Sequence, residues 1–310
     1  MRISSPFPAG ERVQHQRNKL NLEKLVKSKN VYLMCPPEYF DVSYIINPWM
    51  NGNLRAIDNA LAKVQWRALY DIVSDYATVR LTLPQPGSPD MVFTANAGLV
   101  LDNKIIISRF RYPERQYEEP YFADWFMDRG FEVMMPPRDT FFEGAGDALF
   151  ERGTNISARR NTRPLGKRLW MAYGHRSLLG AKDYIEKWLK CKVEALQLVD
   201  DRFYHLDTCF CPLPGGYVLY YPAAFDVVSQ KLIEKNIPDG KRIVVGEQDA
   251  LAFACNAVNI DKLVVVNQAT KALVTRLSAL GFEVIQTPLS EFMKAGGSAK
   301  CLTLRLNEAA

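Results

Sequence analysis

A histidine and a carboxylate stand two residues apart in the stretch Phe-Tyr-His-Leu-Asp-Thr. They are His205 and Asp207. In an extended backbone, side chains two residues apart point to the same face, so the stretch predicts an imidazole beside a carboxylate. Such a pair is suited to moving protons between reacting groups. Taken alone, the stretch also fits a structural histidine with a capping aspartate.

A cysteine follows a glycine-rich loop near the end of the sequence. Cys301 comes directly after residues 295–300, which include Gly296 and Gly297. Leucines at every second position after it predict a strand over residues 301–306, with the apolar face opposite the thiol. Glycines let the backbone approach a ligand closely, so this loop would present Cys301 at a pocket rim as a nucleophile. A small structural cysteine is the alternative.

Two acids and two glycines are combined in the segment Phe-Phe-Glu-Gly-Ala-Gly-Asp. The acids are Glu143 and Asp147. The glycines indicate a tight turn, and the aromatic residues before it suggest that the carboxylates point into apolar surroundings. A carboxylate is costly to bury unless a cation or an imidazolium pairs with it. The segment therefore predicts a carboxylate partner for a histidine, with a turn of solvated acids as the alternative.

Neither a metal nor an organic cofactor is indicated. His205, Cys209 and Cys211 have ligand-type side chains, but the Cys-x-Cys spacing differs from that of common zinc modules. The phosphate-binding patterns GxGxxG and GxxxxGK[ST] do not occur in the sequence. We therefore expect no metal, no nucleotide and no other cofactor.

The composition is that of a soluble globular protein. Of 310 residues, 48% are hydrophobic and 24% are charged, and no apolar run approaches the roughly 20 residues that span a bilayer. The N-terminal residues show no apolar signal segment. Six cysteines in such a chain are expected to be reduced thiols. We expect a cytoplasmic protein with no membrane partner.

Positive charge is concentrated in two stretches. The net charge is +5, with a polar, basic arm at residues 1–30 and an arginine-rich insert at residues 155–168. The insert has no interleaved aromatic residues and no nucleic-acid-binding motif, so a solvated loop is expected and no nucleic-acid partner. No linker divides the remainder, which predicts a single domain over residues 31–310.

A cycle of short strand, polar turn and helix repeats along this domain. The predicted strands cover residues 31–34, 92–93, 98–101, 105–108, 132–135, 169–172, 217–221, 243–245, 263–266, 283–287 and 301–306. The predicted helices cover residues 54–75, 119–128, 181–191, 229–236 and 270–279. Many short strands with helices between them indicate an α/β fold of repeated units.

Together these segments resemble the guanidine-modifying pentein superfamily, which includes arginine deiminases, dimethylarginine dimethylaminohydrolases, amidinotransferases and bacterial arginine dihydrolases. The matching pieces, in family order, are INPWM (46–50), FTANAG (93–98), SRFRYPER (108–115), FEGAGD (142–147), YGHRS (173–177), HLDT (205–208), FACNAV (253–258) and GGSAKCLTLRL (296–306). The resemblance implies a five-bladed α/β propeller of ββαβ-type units around a central pocket. It also implies a small guanidino compound as substrate, and a homo-oligomer is compatible with it.

The resemblance also implies roles for individual residues. Cys301 matches the nucleophile, His205 the general acid/base, and Glu143 the carboxylate that orients the histidine and contacts the guanidinium. The remaining matches concern substrate binding: Asp207 for guanidinium nitrogens, Arg115 and Arg176 for the α-carboxylate, and Asn47 as an amide that lines the pocket.

One departure from the family pattern bears on the product. Deiminases have an aspartate where this sequence has Asn96, and the asparagine version is similar to arginine dihydrolases, which yield ornithine. The resemblance therefore implies a cysteine-dependent arginine dihydrolase that forms a covalent thiouronium intermediate. An amidinotransferase, a deiminase or a dimethylarginine dimethylaminohydrolase are the alternatives, and a non-catalytic binding pentein is disfavoured because Cys301, His205 and Glu143 occur together.

Overall fold

The computed structural model describes residues 30–153 and 168–308. The basic arm predicted at residues 1–30 and the arginine-rich insert at residues 155–168 therefore lie outside the described residues, apart from their last residues. Within the described ranges, no helix is both long and apolar enough to cross a membrane.

The described residues form five three-stranded sheets. The strands, in chain order, are β1 (Val31–Met34), β2 (Thr78–Leu81), β3 (Gly98–Leu101), β4 (Lys104–Ile107), β5 (Glu132–Met134), β6 (Ala148–Phe150), β7 (Arg168–Tyr173), β8 (Lys192–Gln197), β9 (Phe210–Leu213), β10 (Tyr217–Tyr220), β11 (Arg242–Val244), β12 (Val258–Ile260), β13 (Leu263–Val266), β14 (Glu283–Gln286) and β15 (Leu304–Arg305). The helices are α1 (Asn59–Tyr76), α2 (Pro113–Gln116), α3 (Glu118–Met127), α4 (Gly144–Asp147), α5 (Ala181–Leu189), α6 (Val227–Asn236), α7 (Glu247–Leu251), α8 (Lys271–Ala279) and α9 (Ser290–Met293).

Each sheet repeats one connection pattern. Its central strand pairs antiparallel with one neighbour and parallel with the other, as β4 does with β3 and β5. The parallel connection passes through a helix, as required when a chain must return to the same end of a sheet. In the sheet of β1 and β2 the antiparallel partner is β15, so the end of the described chain completes the first unit.

Burial explains why these segments form strands. The apolar strands β3 and β13 are buried at every residue, as near-continuous apolar sequences require. The outer strands β2 and β14 are largely exposed. Helix α1 begins after Asp58, whose carboxylate accepts from the Ala60 and Leu61 amides.

Most predicted elements are confirmed within one or two residues, and three differ. Residues 92–93 do not form a strand, because Pro89 begins a 3-10 helix that ends at Val92. The strand predicted at residues 301–306 is limited to Leu304–Arg305, and Cys301 lies in a turn. The first helix begins at Asn59 rather than residue 54. Strands β2, β6, β8, β9 and β12 were not predicted.

Candidate active site

One cavity gathers most of the residues singled out in the sequence. Its lining includes Asn47, Asn96, Arg115, Arg176, His205 and Cys301. The other two predicted residues contact this lining: Glu143 bonds to His205, and the Asp207 carboxylate lies 3.6 Å from the Cys301 sulfur. All eight are buried.

Glu143 is the centre of the charged side of the cavity. It precedes α4, and its Oε2 lies 2.7 Å from His205 Nε2 and 3.0 Å from Arg176 Nη1. Burial by itself raises the pKa of Glu143, but the Arg176 guanidinium and the His205 bond outweigh it and hold the pKa well below its usual range. Glu143 is therefore ionised at neutral pH.

His205 is a neutral imidazole at rest. Burial lowers its pKa to about 4, even though the Glu143 carboxylate acts in the opposite direction. Because an ionised carboxylate can only accept, the ring proton must lie on Nε2 and donate to Glu143. Nδ1 then carries the lone pair, so His205 can act as a base.

Arg176 is held between aromatic rings. Its guanidinium carbon lies 4.8 Å from the Tyr112 ring centroid and 4.6 Å from that of Tyr204. One N–H donates to Glu143 and another to the Ile46 carbonyl. These two bonds leave N–H donors of the guanidinium available to a ligand in the cavity.

Cys301 forms the other side of the cavity. Two expectations were wrong here, one about the exposure of Cys301 and one about the backbone of the His205 segment. It is only 3% exposed, so the thiol lies inside the protein rather than at a rim. The His205 segment is not extended either, since residues Leu206–Thr208 form a 3-10 turn that brings the Asp207 carboxylate to the sulfur. Burial, followed by the Asp207 charge, raises the pKa of the Cys301 thiol well above its ordinary value. Burial likewise raises the pKa of Asp207 to about 6.

The glycines before Cys301 allow close packing against side chains instead of a ligand. Gly296 has a φ of 82°, and a Cβ there would come within 2.6 Å of the Tyr204 hydroxyl and 2.9 Å of Asn47 Oδ1. A Cβ at Gly297 would collide with the Phe93 ring. Asn47 also donates to the Ala295 carbonyl at 3.0 Å, so this amide holds the same loop.

Asn96 has a defined orientation. Its Oδ1 accepts from Arg115 Nη1 at 3.0 Å, and its Nδ2 donates to the Glu143 carbonyl at 3.2 Å. Arg115 itself is bound bidentately by Glu118, at 2.8 and 2.9 Å, and donates to the Asp90 carbonyl. With four hydrogen bonds made, Arg115 retains little capacity to bind the substrate carboxylate for which it was predicted.

Sequence reasoning missed two residues of the site. Asp90 lines the cavity and is 2% exposed; its Oδ2 accepts from Tyr44, while Oδ1 has no hydrogen-bond partner among the described residues. Asn256 contacts Cys301 through both ends of its amide. Asn256 lies in the FACNAV piece and could have been selected there, whereas Asp90, between Pro89 and Met91, gave no periodic signal.

Asp147, the second acid of the FEGAGD segment, supports the site from behind. Its Oδ2 accepts from the Ser177 hydroxyl at 2.6 Å, and Oδ1 accepts from the Leu206 amide at 3.1 Å. Ser177 in turn accepts from the Glu143 amide. One buried carboxylate thus links the Glu143 turn to the His205 turn. In the part of the chain that the structure describes, no three His, Cys, Asp or Glu side chains are placed to hold a metal ion.

Five three-stranded ββαβ-type units, with a thiol, an imidazole and carboxylates meeting at one cavity, are the arrangement of the pentein class of α/β propellers. The chain belongs to the guanidine-modifying pentein superfamily. It is 37% identical over 277 residues to the N(G),N(G)-dimethylarginine dimethylaminohydrolase of Mycobacterium tuberculosis, covering 89% of this chain and 85% of that protein. No protein-family model matches the chain.

Higher similarity is found to cyanobacterial proteins. The bifunctional arginine dihydrolase/ornithine cyclodeaminase AgrE of Nostoc sp. is 52% identical over 277 residues, covering 89% of this chain. The chain spans 38% of the length of that relative. The crystal structure of the N-terminal domain of ArgZ, an arginine dihydrolase of the ornithine-ammonia cycle, determined as a mutant bound to substrate, matches with a TM-score of 0.86 and 51% identity. That match covers 91% of this chain and 99% of the other. The five-bladed pentein fold expected from the sequence is thereby confirmed.

Proposed function

We propose that the protein is an arginine dihydrolase, which converts L-arginine into ornithine, ammonia and carbon dioxide through a covalent bond to Cys301. The observation that carries the proposal is the placement of a buried thiol beside Asp207 in the same cavity as the neutral His205 and ionised Glu143. The high identity to a domain described as an arginine dihydrolase supports the choice among guanidine-modifying reactions.

The cavity suits an α-amino acid with a cationic end. The unpartnered Oδ1 of Asp90 is an acceptor for an α-ammonium group, and the remaining donors of Arg176 suit an α-carboxylate. The carboxylates of Glu143 and Asp207 serve the guanidinium. Asn47 completes the lining, and Arg115 acts through Asn96.

The first half of the reaction needs a thiolate and a localised positive charge. A guanidinium beside Asp207 and Cys301 compensates the buried negative charge and favours the thiolate. His205 takes the thiol proton on Nδ1, and the thiolate attacks the guanidinium carbon. His205 then passes that proton to a terminal nitrogen, which leaves as ammonia and yields the covalent thiouronium intermediate. His205 then takes a proton from water, which attacks the intermediate, releases the thiol and leaves a neutral ureido group.

Asn96 decides whether the ureido compound reacts again. Its amide can donate to the ureido oxygen and accept from the ureido nitrogen, whereas a carboxylate can only accept. A retained ureido group is open to a second attack by Cys301 and a second water. One arginine and two waters then become ornithine, two ammonia molecules and carbon dioxide.

The proposal also covers the domain organisation, the cellular location and the oligomeric state. We propose that residues 31–310 form one domain, supported by the pairing of β15 with β1. A cytoplasmic location is supported by six unpaired cysteines, which suit a reducing compartment. The homo-oligomer remains a prediction.

Product analysis tests the reaction. We expect wild-type protein with guanidino-¹⁵N arginine to give ornithine and two labelled ammonia molecules per arginine by mass spectrometry. Dimethylated arginine is the competing substrate, because the mycobacterial relative is 37% identical. Citrulline as the final product would select a deiminase, and a labelled amidino group on an added amine such as glycine would select an amidinotransferase.

The variant Asn96→Asp sharpens the same test. Aspartate retains the bond from Arg115 but faces the Glu143 carbonyl, at present 3.2 Å from the Asn96 amide nitrogen, as acceptor against acceptor. We expect citrulline and one ammonia per arginine, with the first step little changed. The control is Asn267→Asp, a buried asparagine bonded to Ala252 and Leu289. Ornithine as the sole product of Asn96→Asp would contradict this account of Asn96.

A further inference from the structure

We infer that Asn256 is the positioning residue of the nucleophile: it holds the Cys301 turn and donates a hydrogen bond that stabilises the thiolate. The inference rests on the proposed role of Cys301. Asn256 has no exposed surface and precedes β12, more than 40 residues before the cysteine in sequence.

The two ends of the Asn256 amide are both committed to the cysteine. Oδ1 accepts from the Cys301 amide at 3.1 Å, and Nδ2 lies 3.1 Å from the Cys301 sulfur. Nδ2 also donates to the Asp207 carbonyl at 3.0 Å. The Asn256 carbonyl accepts from the Lys300 amide. One residue therefore fixes the backbone and sulfur of Cys301 relative to Asp207.

The amide orientation follows from these contacts. A backbone N–H must meet an oxygen, so Oδ1 faces the Cys301 amide and Nδ2 must face the sulfur. Reversing the amide would set Nδ2 against an N–H and Oδ1 against the Asp207 carbonyl. The N–H donor towards the sulfur is thus determined by the surrounding backbone.

The sulfur lies between a donor and an acceptor. As a thiol it can donate to the Asp207 carboxylate, 3.6 Å away, while it accepts from Asn256. As a thiolate it can only accept, so the Asn256 bond strengthens when the proton leaves. The other ionisable groups near the sulfur are Lys300, Tyr204 and His205. Burial and the Asp207 charge raise the pKa of Cys301, and a backbone hydrogen bond of Ser298, the Lys300 charge and the Asn256 hydrogen bond lower it, in that order.

Alkylation of Cys301 tests the inference without any substrate. Wild type, Asn256→Asp, Asn256→Ala and the control Asn267→Asp are treated with iodoacetamide from pH 6 to 11, and labelling of the Cys301 peptide is followed by mass spectrometry. The aspartate variant retains the shape and the Oδ1 acceptor but replaces the donor by an acceptor. The alanine variant removes the donor without adding charge, so the pair does not depend on one variant folding.

We expect the alkylation rate of both Asn256 variants to fall about tenfold or more at each pH at which Cys301 is mostly protonated, as expected for a lost hydrogen bond to a charged group. Asn267→Asp should stay within about twofold of wild type, because it touches neither Cys301 nor Asp207. With arginine, kcat should fall more than KM rises.

An unchanged alkylation profile in a folded Asn256→Ala variant would overturn the inference, whatever its turnover. Loss of turnover with a wild-type profile would show a merely structural role and overturn it as well. If wild type fails to consume arginine but the Asn256 variants shift the profile, the dihydrolase proposal fails and the role of Asn256 stands.

Discussion

The two sides of the cavity solve the problem of buried charge differently. On one side Glu143 is ionised because Arg176 and His205 bond to the same oxygen. On the other side Asp207 faces a neutral thiol, and Lys300, which lowers its pKa, donates to the Ala145 carbonyl instead of to the carboxylate. The first carboxylate has its cation in the protein, and the second has none bonded to it among the described residues.

For the proposed function, this difference explains how substrate binding is coupled to chemistry. The proton-handling side is ready before substrate arrives, because its charges are compensated. The nucleophile side holds a protonated thiol and an uncompensated carboxylate, an arrangement that a guanidinium stabilises when it enters. In the proposed mechanism the cationic substrate thus activates the thiol for the first attack.

The largest expected effect is on the nucleophile side. We expect Cys301→Ala to abolish arginine turnover and leave the thermal unfolding temperature close to that of wild type, because only one sulfur atom is removed. Cys35→Ala and Cys191→Ala are matched controls, since both are buried thiols outside the cavity. Activity of Cys301→Ala near that of these controls would exclude the covalent mechanism.

The next largest effect is expected on the Glu143 side of the cavity, where Arg176 and His205 compensate the buried charge. We expect His205→Ala and Glu143→Gln to lower kcat by about 10²-fold or more, the usual contribution of a general acid/base. Glu143→Gln should also lower the free energy of unfolding by about 3–5 kcal/mol, because Arg176 loses its buried counter-charge. Urea unfolding measures this, with Asp71→Asn as a control on the exposed Arg67 ion pair. A Glu143→Gln variant as stable as that control would show that Glu143 is not ionised in the fold.

The smallest effect has the opposite sign and comes from Asp207. Its folded-state pKa of about 6 lies above the ordinary 3.8. The folded protein therefore keeps a proton that the unfolded chain has released, and this contribution to stability is lost as pH rises from about 4 to about 6. The Asp207→Asn variant does not lose this stability, because its side chain does not ionise. Relative to wild type, its free energy of unfolding should increase between pH 4 and pH 7 by up to about 3 kcal/mol, while turnover falls.

The free energies of unfolding of Asp207→Asn and wild type are compared at each pH. Their difference is free of the contribution of His205, whose pH dependence has the opposite direction. The pKa of His205 is lowered to about 4, so its contribution to stability falls as pH falls below its ordinary 6.5. That contribution is common to both proteins. If Asp207→Asn is less stable than wild type at pH 7, Asp207 is compensated in the fold, and the contrast between the two sides of the cavity disappears.

The sequence by itself determined the chemical groups and much of the scaffold. Periodicity located the five longest helices of the described residues, and apolar runs located covered strands such as β3 and β13. Strands β2 and β8 escaped because they lie at sheet edges and mix polar with apolar residues, so neither forms the continuous apolar run that marks a covered strand. The types and order of Cys301, His205 and Glu143 carried the family resemblance, because the proposed reaction requires these residue types and packing does not.

Only the tertiary structure decided which groups are charged and which partners they have. Arg176, which is predicted to hold a substrate carboxylate, also bonds to Glu143, 33 residues earlier in the chain. Asn256 meets Cys301 across 45 residues, and the Asp207 carboxylate reaches the sulfur across 94. Local sequence patterns do not indicate which residues far apart in the chain come into contact. Ionisation inside a protein depends on burial and on the nearest charges, and both are set by how distant turns pack around one cavity.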